Sequence, residues 1–363
     1  LIALTYFEHP SSTYGFEIGE LSAYDLFDKQ GILLLSKGKP ITQSIRELLH
    51  KRQLYTIKYD LEKSHVVPNK TRKFPSTEYQ NIVGYIREVF EDTCLISDGS
   101  LKKTYSVVDR IINELAGTNQ IYIDLNEFRR FDNFTYVHSI NVAILAALIG
   151  AQMGYEGQIL RNLTIGAIFH DIGKSAIPLK ILNKPEGLTK EEFEIIKRHP
   201  VLGEEMLRFS NIPSEALSIV RHHHERWNGE GYPDSLRQRA IDINSQIVAV
   251  ADVFDALVAD RPYRKGFPPY HALEIIIAGS GKEFNEDIVK SFRQCLILYP
   301  QSSIVTLNTG EVGTVIAIHQ NYPSRPLVRI LFDKYGNYII NEQICNLLED
   351  LTRFVQSVDF SYV

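Results

Sequence analysis

The sequence predicts a mainly α protein, with a small α+β module before the helical core and a short β-rich extension after it. Three observations carry this reading. Apolar residues recur at three- and four-residue spacing through nearly all of 119–299, short β-branched runs alternate with turn residues over 300–363, and residues 1–60 mix the two patterns. With 363 residues, 44% hydrophobic and 23% charged, the chain has globular balance and length for two or three domains. A formal net charge of −5 leaves no footprint for a long nucleic acid, although a local basic cluster can hold a small phosphate ligand. Cys94, Cys295 and Cys345 form no CxxC pair, which fits a reducing compartment and no disulfide framework. The first twenty residues lack the basic flank and apolar run of a secretory leader. The longest apolar stretch, VAILAALIGA at 142–151, is about half a membrane span. A cytoplasmic protein with no membrane span is expected.

The elements follow in order. DKQG at 28–31 reads as a turn before the run ILLL, KGKP breaks that run, SIRELLHKR reads as a helix and YTIKY as a strand, giving the α+β module of 1–60. The polar, proline-containing stretch 62–78 reads as a linker. IVGYIREVF and YSVVDRIINELAG are amphipathic helices that complete a connecting region, 61–118. After the helical block of 119–299, SIVTL, GTVIAI and PLVRILFD are strand-like, with NTGE and DKYGN as turns, in the extension 300–363. There is no internal repeat and no low-complexity tract.

Within the helical block, polar residues interrupt apolar faces. His138 shares a stripe with Asn141, Val142, Leu145 and Ile149. Leu160, Leu163, Thr164 and Ala167 form a stripe that ends at Asp171, beside His170, before a break at Gly173. Thr189 and Glu192 make a capping box, and Pro200 places His199 at the exit of the helix so started. Ser214 can cap the next helix, where Ala216, Ile219, Val220 and His223 share a face and His224 sits about 100° round from His223. His222 lies on the side of Glu215 and Ser218, facing solvent or supporting its neighbours. Asp252 and Asp255 fall on the stripe of Ser245, Val248, Ala249 and Ala256. Taken singly, each has a plain alternative: an inward histidine is commonly a hydrogen-bonded core residue, and an HD dipeptide arises by chance in roughly every second chain of this composition. Together they would place several uncompensated polar groups in one core, each costing about a few kcal/mol. Five imidazoles and two carboxylates on separate helices are a ligand set for a pair of divalent ions, which removes that cost.

HDIGK at 170–174, the isolated His199-Pro200, HHERWNGEGYP from His223, ADVFDAL around Asp252 and RPYR at 261–264, in this order, resemble the HD-GYP family. These are metal-dependent phosphodiesterases of the HD superfamily that hydrolyse cyclic di-GMP. The resemblance covers 119–299 and implies a helical HD-domain core there as the catalytic domain. By it, His138, His170, Asp171 and Asp252 hold one metal, and Asp171, His199, His223 and His224 hold the other, with Asp171 bridging. Iron is implied, with manganese as the alternative; imidazole with carboxylate suits zinc equally well. Some members use a glutamate one turn before the first histidine for a third metal. Phe134 stands there, and Asp132 and Asn133 fall on another part of the turn, so two ions are expected.

The implied reaction is hydrolysis of cyclic di-GMP to pGpG or GMP by a metal-activated hydroxide, with Lys174 as donor near the scissile group. Arg261 and Arg264 supply fork-shaped donors for the second phosphate. Gly229, Gly231 and Pro233 fix a tight loop that presents Tyr232 to substrate or to diguanylate cyclase (GGDEF) domains, or packs it on its own loop. Asp255 orients the substrate or a metal-bound water, or makes a salt bridge on the helix surface. Glu225 and Arg226 support the ligands from behind. GSGK at 279–282 lacks the spacing of a phosphate loop. His9, His50, His65, His271 and His319 share no geometry. The 1–60 module regulates access or forms a homodimer. Two other readings compete with turnover: a metal-bearing cyclic dinucleotide-binding or cyclase-contacting signalling protein, and an HD phosphohydrolase acting on other nucleotides, which leaves GYP and RPYR unexplained.

Overall fold

The computed structural model describes residues 5–6, 18–19, 26–28, 33–35, 39–52, 54–55, 57–58, 72–91, 98–115, 121–122, 134–182, 184, 186–260, 265–319 and 321–359. They fall into two compact units, one of 70–300 with 320–324 and one of 1–69 with 301–319 and 325–363. In the second of these, short strands β1 (Thr5–Tyr6), β2 (Leu26–Asp28) and β3 (Leu33–Leu35) precede helix α1 (Gln43–Arg52), and β4 (Leu54–Tyr55) and β5 (Ile57–Lys58) follow it. They pair as β3-β2-β4 and β1-β5.

The helical unit begins with β6 (Arg72–Lys73), which pairs in parallel with β7 (Ile121–Tyr122); α2 (Ser76–Glu91) and α3 (Asp98–Leu115) lie between them in sequence. The end of the expected linker is therefore structured. Pro75 immediately precedes the first residue of α2, and its carbonyl accepts from Tyr79 N at 3.0 Å, so the proline starts a helix instead of interrupting one.

Next comes α4 (Phe134–Gln152), whose residues 137–150 are all buried. A helix apolar on every side needs cover on every side. It receives it from α2, α3, α5 (Gly157–Phe169), α10 (Ile243–Val258) and α12 (Glu286–Cys295). Between α5 and α10 run a 3₁₀ turn (Ile172–Ala176), α6 (Leu179–Leu182), α7 (Lys190–Ile196), α8 (His199–Leu207) and α9 (Ser214–His222); α11 (Pro269–Ala278) precedes α12. Helix α9 packs on α5 and α8, and α8 packs on the 3₁₀ turn.

Start signals in the sequence explain most helix entries. Thr189 Oγ1 accepts from Glu192 N at 3.2 Å while Glu192 Oε2 accepts from Thr189 N at 2.8 Å, closing the expected capping box. Asp242 and Asn285 cap α10 and α12 through their side chains. Two entries differ from expectation. Helix α7 ends at Ile196, and His199 opens α8 instead of closing α7, because a proline in a first turn forfeits no hydrogen bond. Ser214 is the first residue of α9, after Pro213, and its hydroxyl donates to Glu215 at 3.2 Å instead of capping the backbone.

The C-terminal strands β8 (Ile304–Leu307), β9 (Val312–His319), β10 (Tyr322–Phe332), β11 (Tyr338–Asn346) and β12 (Val355–Asp359) form one sheet in the order β11-β10-β9-β8-β12. Alternate burial along β8 and β9 puts Val305, Leu307, Val315 and Ala317 inside, as period-two patterning requires. Among the described residues no helix is long and apolar enough to cross a membrane.

Candidate metal centre

Five elements deliver seven polar side chains to one place in the helical unit. Helix α4 brings His138, the end of α5 brings His170 and Asp171, α8 opens with His199, the end of α9 brings His223 and His224, and α10 brings Asp252. Two groups of ligand atoms result, each lying within 4.8 Å of one another: His138, His170 and Asp171, and Asp171, His199, His223 and His224. Asp171 is common to both. Asp252 joins them, with Oδ1 at 3.1 Å from His138 Nε2 and Oδ2 at 3.8 Å from His224 Nδ1.

Backbone carbonyls decide which way the imidazoles present themselves. His170 Nδ1 lies 2.6 Å from Ala167 O, His199 Nδ1 2.7 Å from Ile196 O and His223 Nδ1 3.0 Å from Val220 O. A carbonyl only accepts, so each Nδ1 carries a proton, and each ring turns its Nε2, the nitrogen that offers a lone pair to a metal, inward. There the lone pairs crowd: His199 Nε2 and His223 Nε2 are 3.3 Å apart. Asp171 Oδ1 lies 3.2 Å from His199 Nε2 and 3.8 Å from His223 Nε2, yet it and His170 Nε2 are buried without a hydrogen bond. Acceptors converging on acceptors in a dry core are costly unless a cation sits among them. The donor set is imidazole and carboxylate, which fits a divalent metal.

Charges in the cluster are arranged accordingly. Burial opposes ionisation of Asp171, but the Lys174 ammonium beside it offsets this, and the carboxyl stays well below its ordinary range. Lys174 Nζ donates to Asp171 Oδ2 at 2.5 Å. Burial likewise opposes the charge on His138, but hydrogen bonds to Asp252 and Asp255 raise the imidazole to about 10. Burial, the largest cause for both, pushes His223 and His224 below the usual histidine range.

Asp255 is placed otherwise than as a substrate contact or a surface salt bridge. It is 2% exposed, and its two oxygens accept from His138 Nδ1 at 2.7 Å and Asn141 Nδ2 at 2.8 Å, so it stands behind a histidine and away from any ligand. His222 is apart from the cluster, with Nε2 at 3.0 Å from Asp234 Oδ2. The readings at Arg261, Arg264, Asp132 and Asn133 lie outside the described residues, as do His9 and His65, while of Phe134 and His50 only the helical backbone is described. His271 is exposed, and His319 pairs with Asn346 at 3.1 Å.

A cavity of about 540 Å³ opens onto the cluster, and its wall includes His138, Asp171, Lys174, His223, His224 and Asp252. Tyr232 forms part of the same wall, with its ring centroid 4.8 Å from that of His224. The loop that carries it is closed by Glu225, which accepts from Asp234 N at 2.7 Å and Leu236 N at 3.0 Å. Gly231 is required there, since a Cβ would fall 2.4 Å from both Arg226 N and Glu225 Cα. Sequence reasoning missed Phe193, a 45% exposed ring on the cavity wall with Lys197 Nζ 5.1 Å above it. No periodicity marks an aromatic residue on a seven-residue surface helix. Arg226 and Glu225, both expected to support the ligands, line the cavity, and Arg226 Nη1 lies 3.4 Å from Glu283.

Fold and site together define an HD-domain protein with a buried histidine–aspartate centre suited to divalent metal. The HD-domain family model matches residues 112–288, and the model of a KOW domain associated with the HD domain matches 304–361. A cyclic di-GMP phosphodiesterase of Pseudomonas aeruginosa is 32% identical over 242 residues, which is 66% of this chain and 58% of the relative. One of Thermotoga maritima is 43% identical over 203 residues, 53% of this chain and 55% of the relative. The chain thus spans little more than half the length of these relatives. An HDGYP-type protein of Bdellovibrio bacteriovorus shares the fold at a TM-score of 0.50 and 20% identity, over 79% of this chain and 98% of that one. Residues 112–288 are thus an HD domain, and the chain is similar to cyclic di-GMP phosphodiesterases that carry one.

Proposed function

We propose that the protein is a cyclic di-GMP phosphodiesterase that holds two divalent ions, iron or else manganese. The observation that carries this reading is the convergence of three Nε2 lone pairs on a carboxylate that two ligand groups share. His138, His170, Asp171 and Asp252 would hold one ion, and Asp171, His199, His223 and His224 the other. When bound, the ions supply Lewis acidity and positive charge for attack of water on a phosphodiester. The chain's own residues do the rest. Lys174, on the cavity wall, would give a proton to the leaving oxygen, Tyr232 and Phe193 would offer ring faces to a base, and Arg226 would offer a guanidinium to a phosphate. The cavity's volume of about 540 Å³ is in the range of small-molecule sites.

The test is anaerobic incubation of the protein with Fe(II) or Mn(II) and cyclic di-GMP, with products followed by mass spectrometry. Linear pGpG or GMP is expected. Intact substrate beside a metal-loaded protein would reduce the reading to a binding protein.

A pH dependence follows for the metal. At neutral pH His223 and His224 already expose lone pairs, whereas His138 holds a proton up to about pH 10. Loading therefore displaces about one proton from His138, and affinity at that group rises roughly tenfold per pH unit below that point. Mn(II) calorimetry at pH 7 to 8.5 in buffers of different ionisation enthalpy checks this. A heat that does not depend on the buffer contradicts it.

A further inference from the structure

Tyr79 lies on α2, outside the 112–288 segment that matches the HD domain, yet it reaches the metal centre through two buried partners. Its hydroxyl donates to Asn141 Oδ1 at 2.8 Å, Asn141 Nδ2 donates to Asp255 Oδ1 at 2.8 Å, and Asp255 Oδ2 accepts from His138 Nδ1 at 2.7 Å. The four residues are between 2% and 7% exposed.

Every bond in this chain has one direction. Burial, reinforced by the charge of Asp255, keeps the Tyr79 hydroxyl protonated, so it is a donor. Its acceptor is the amide oxygen of Asn141, which turns the Asn141 NH₂ toward Asp255. The Asp255 carboxylate accepts, so Nδ1 of His138 keeps its proton, and Nε2, which faces Asp252 and Asp171, is the nitrogen left to meet a metal. A phenylalanine would fill the same space between α2 and α4 without the bond to Asn141. Partners behind a ligand histidine fix its ring and tautomer, and removing one commonly weakens metal binding about 10- to 100-fold.

We infer that Tyr79 is a positioning residue of the metal centre, supplied from outside the HD domain, which sets the orientation and tautomer of His138 through Asn141 and Asp255. The inference rests on His138 being a metal ligand.

The experiment is competition titration of Mn(II) against a fluorescent chelator, using the full chain. Wild type is expected to hold two ions. Tyr79→Phe should weaken one of them roughly tenfold and leave the other, held by His199, His223 and His224, within about twofold. Ile82→Val, on the buried face of the same helix, should lower the melting temperature without moving either affinity. If the relay operates, Tyr79→Phe adds nothing to Asn141→Ala in the double variant. Equal Mn(II) affinity in wild type and Tyr79→Phe, or additive losses in the double variant, overturns the inference while leaving the metal reading intact. A wild-type protein that takes up no Mn(II) overturns both.

Discussion

Asp171→Ala is expected to abolish cyclic di-GMP hydrolysis and to empty both metal positions, not one. The reason is geometric. Its carboxylate is the single group common to the two ligand sets, with Oδ2 at 3.3 Å from His170 Nε2 and 3.6 Å from His138 Nε2, and Oδ1 at 3.2 Å from His199 Nε2. Each other ligand belongs to one set, so His170→Ala and His199→Ala should each leave one ion partly retained. Without either ion, water at neutral pH is a poor nucleophile, and turnover should drop by roughly three orders of magnitude or more. The carboxylate is also the partner of Lys174 at 2.5 Å, so Asp171→Ala strands that ammonium against buried imidazoles. Asp171→Asn separates the two effects: it keeps the shape and an oxygen but loses the charge. Metal content by mass spectrometry, read beside circular dichroism of the same samples, checks the prediction. Two retained ions in folded Asp171→Ala would refute the shared-ligand arrangement.

The helical core and the converging side chains were legible for one physical reason. A polar residue on an otherwise apolar helix face announces burial, and burial demands a partner; His138 on α4 and Asp252 on α10 carried that signal plainly. The same signal does not say which side of a histidine a carboxylate occupies. Asp255 shares the stripe of Asp252, one turn further on, yet it faces His138 Nδ1 while Asp252 faces Nε2. Only the crossing of α4 and α10 decides that, and a single helix face does not encode a crossing. Tyr79 was invisible for a related reason. It is one aromatic among the apolar residues of an amphipathic helix, and its hydroxyl partner lies 62 residues away. At Pro200 the local rule itself was ambiguous, since a proline both ends a preceding helix and opens a following one. The cap at Thr189 and the alternation along β8 and β9 depend on neighbours within a few residues, and there pattern and structure agree.

Gly173→Ala is expected to be the most destabilising single-methyl addition near the site. Gly173 follows Asp171 by two residues in the 3₁₀ turn that packs on α8, and a Cβ there would lie 2.0 Å from His199 O and 2.5 Å from Gly203 N. Both are backbone atoms, so no side-chain rotation relieves the overlap. Either the turn moves off α8 or α8 moves away, and in both cases Asp171 and Lys174 separate from His199. Overpacking against rigid backbone costs about 3 kcal/mol or more. For a domain of this size that is a fall of roughly 6–12 °C in melting temperature. Gly84→Ala on α2 gives the opposite sign, because a Cβ meets nothing within 4 Å there and the helix gains about 0.5–1 kcal/mol from alanine. Thermal unfolding of the two variants with Mn(II) present and absent separates the causes. Gly173→Ala should lose most of its response to Mn(II) along with its stability, and Gly84→Ala should keep the whole of it. A Gly173→Ala protein that melts with wild type and still responds to Mn(II) would mean that the contact between the turn and α8 is not what holds Asp171 against His199.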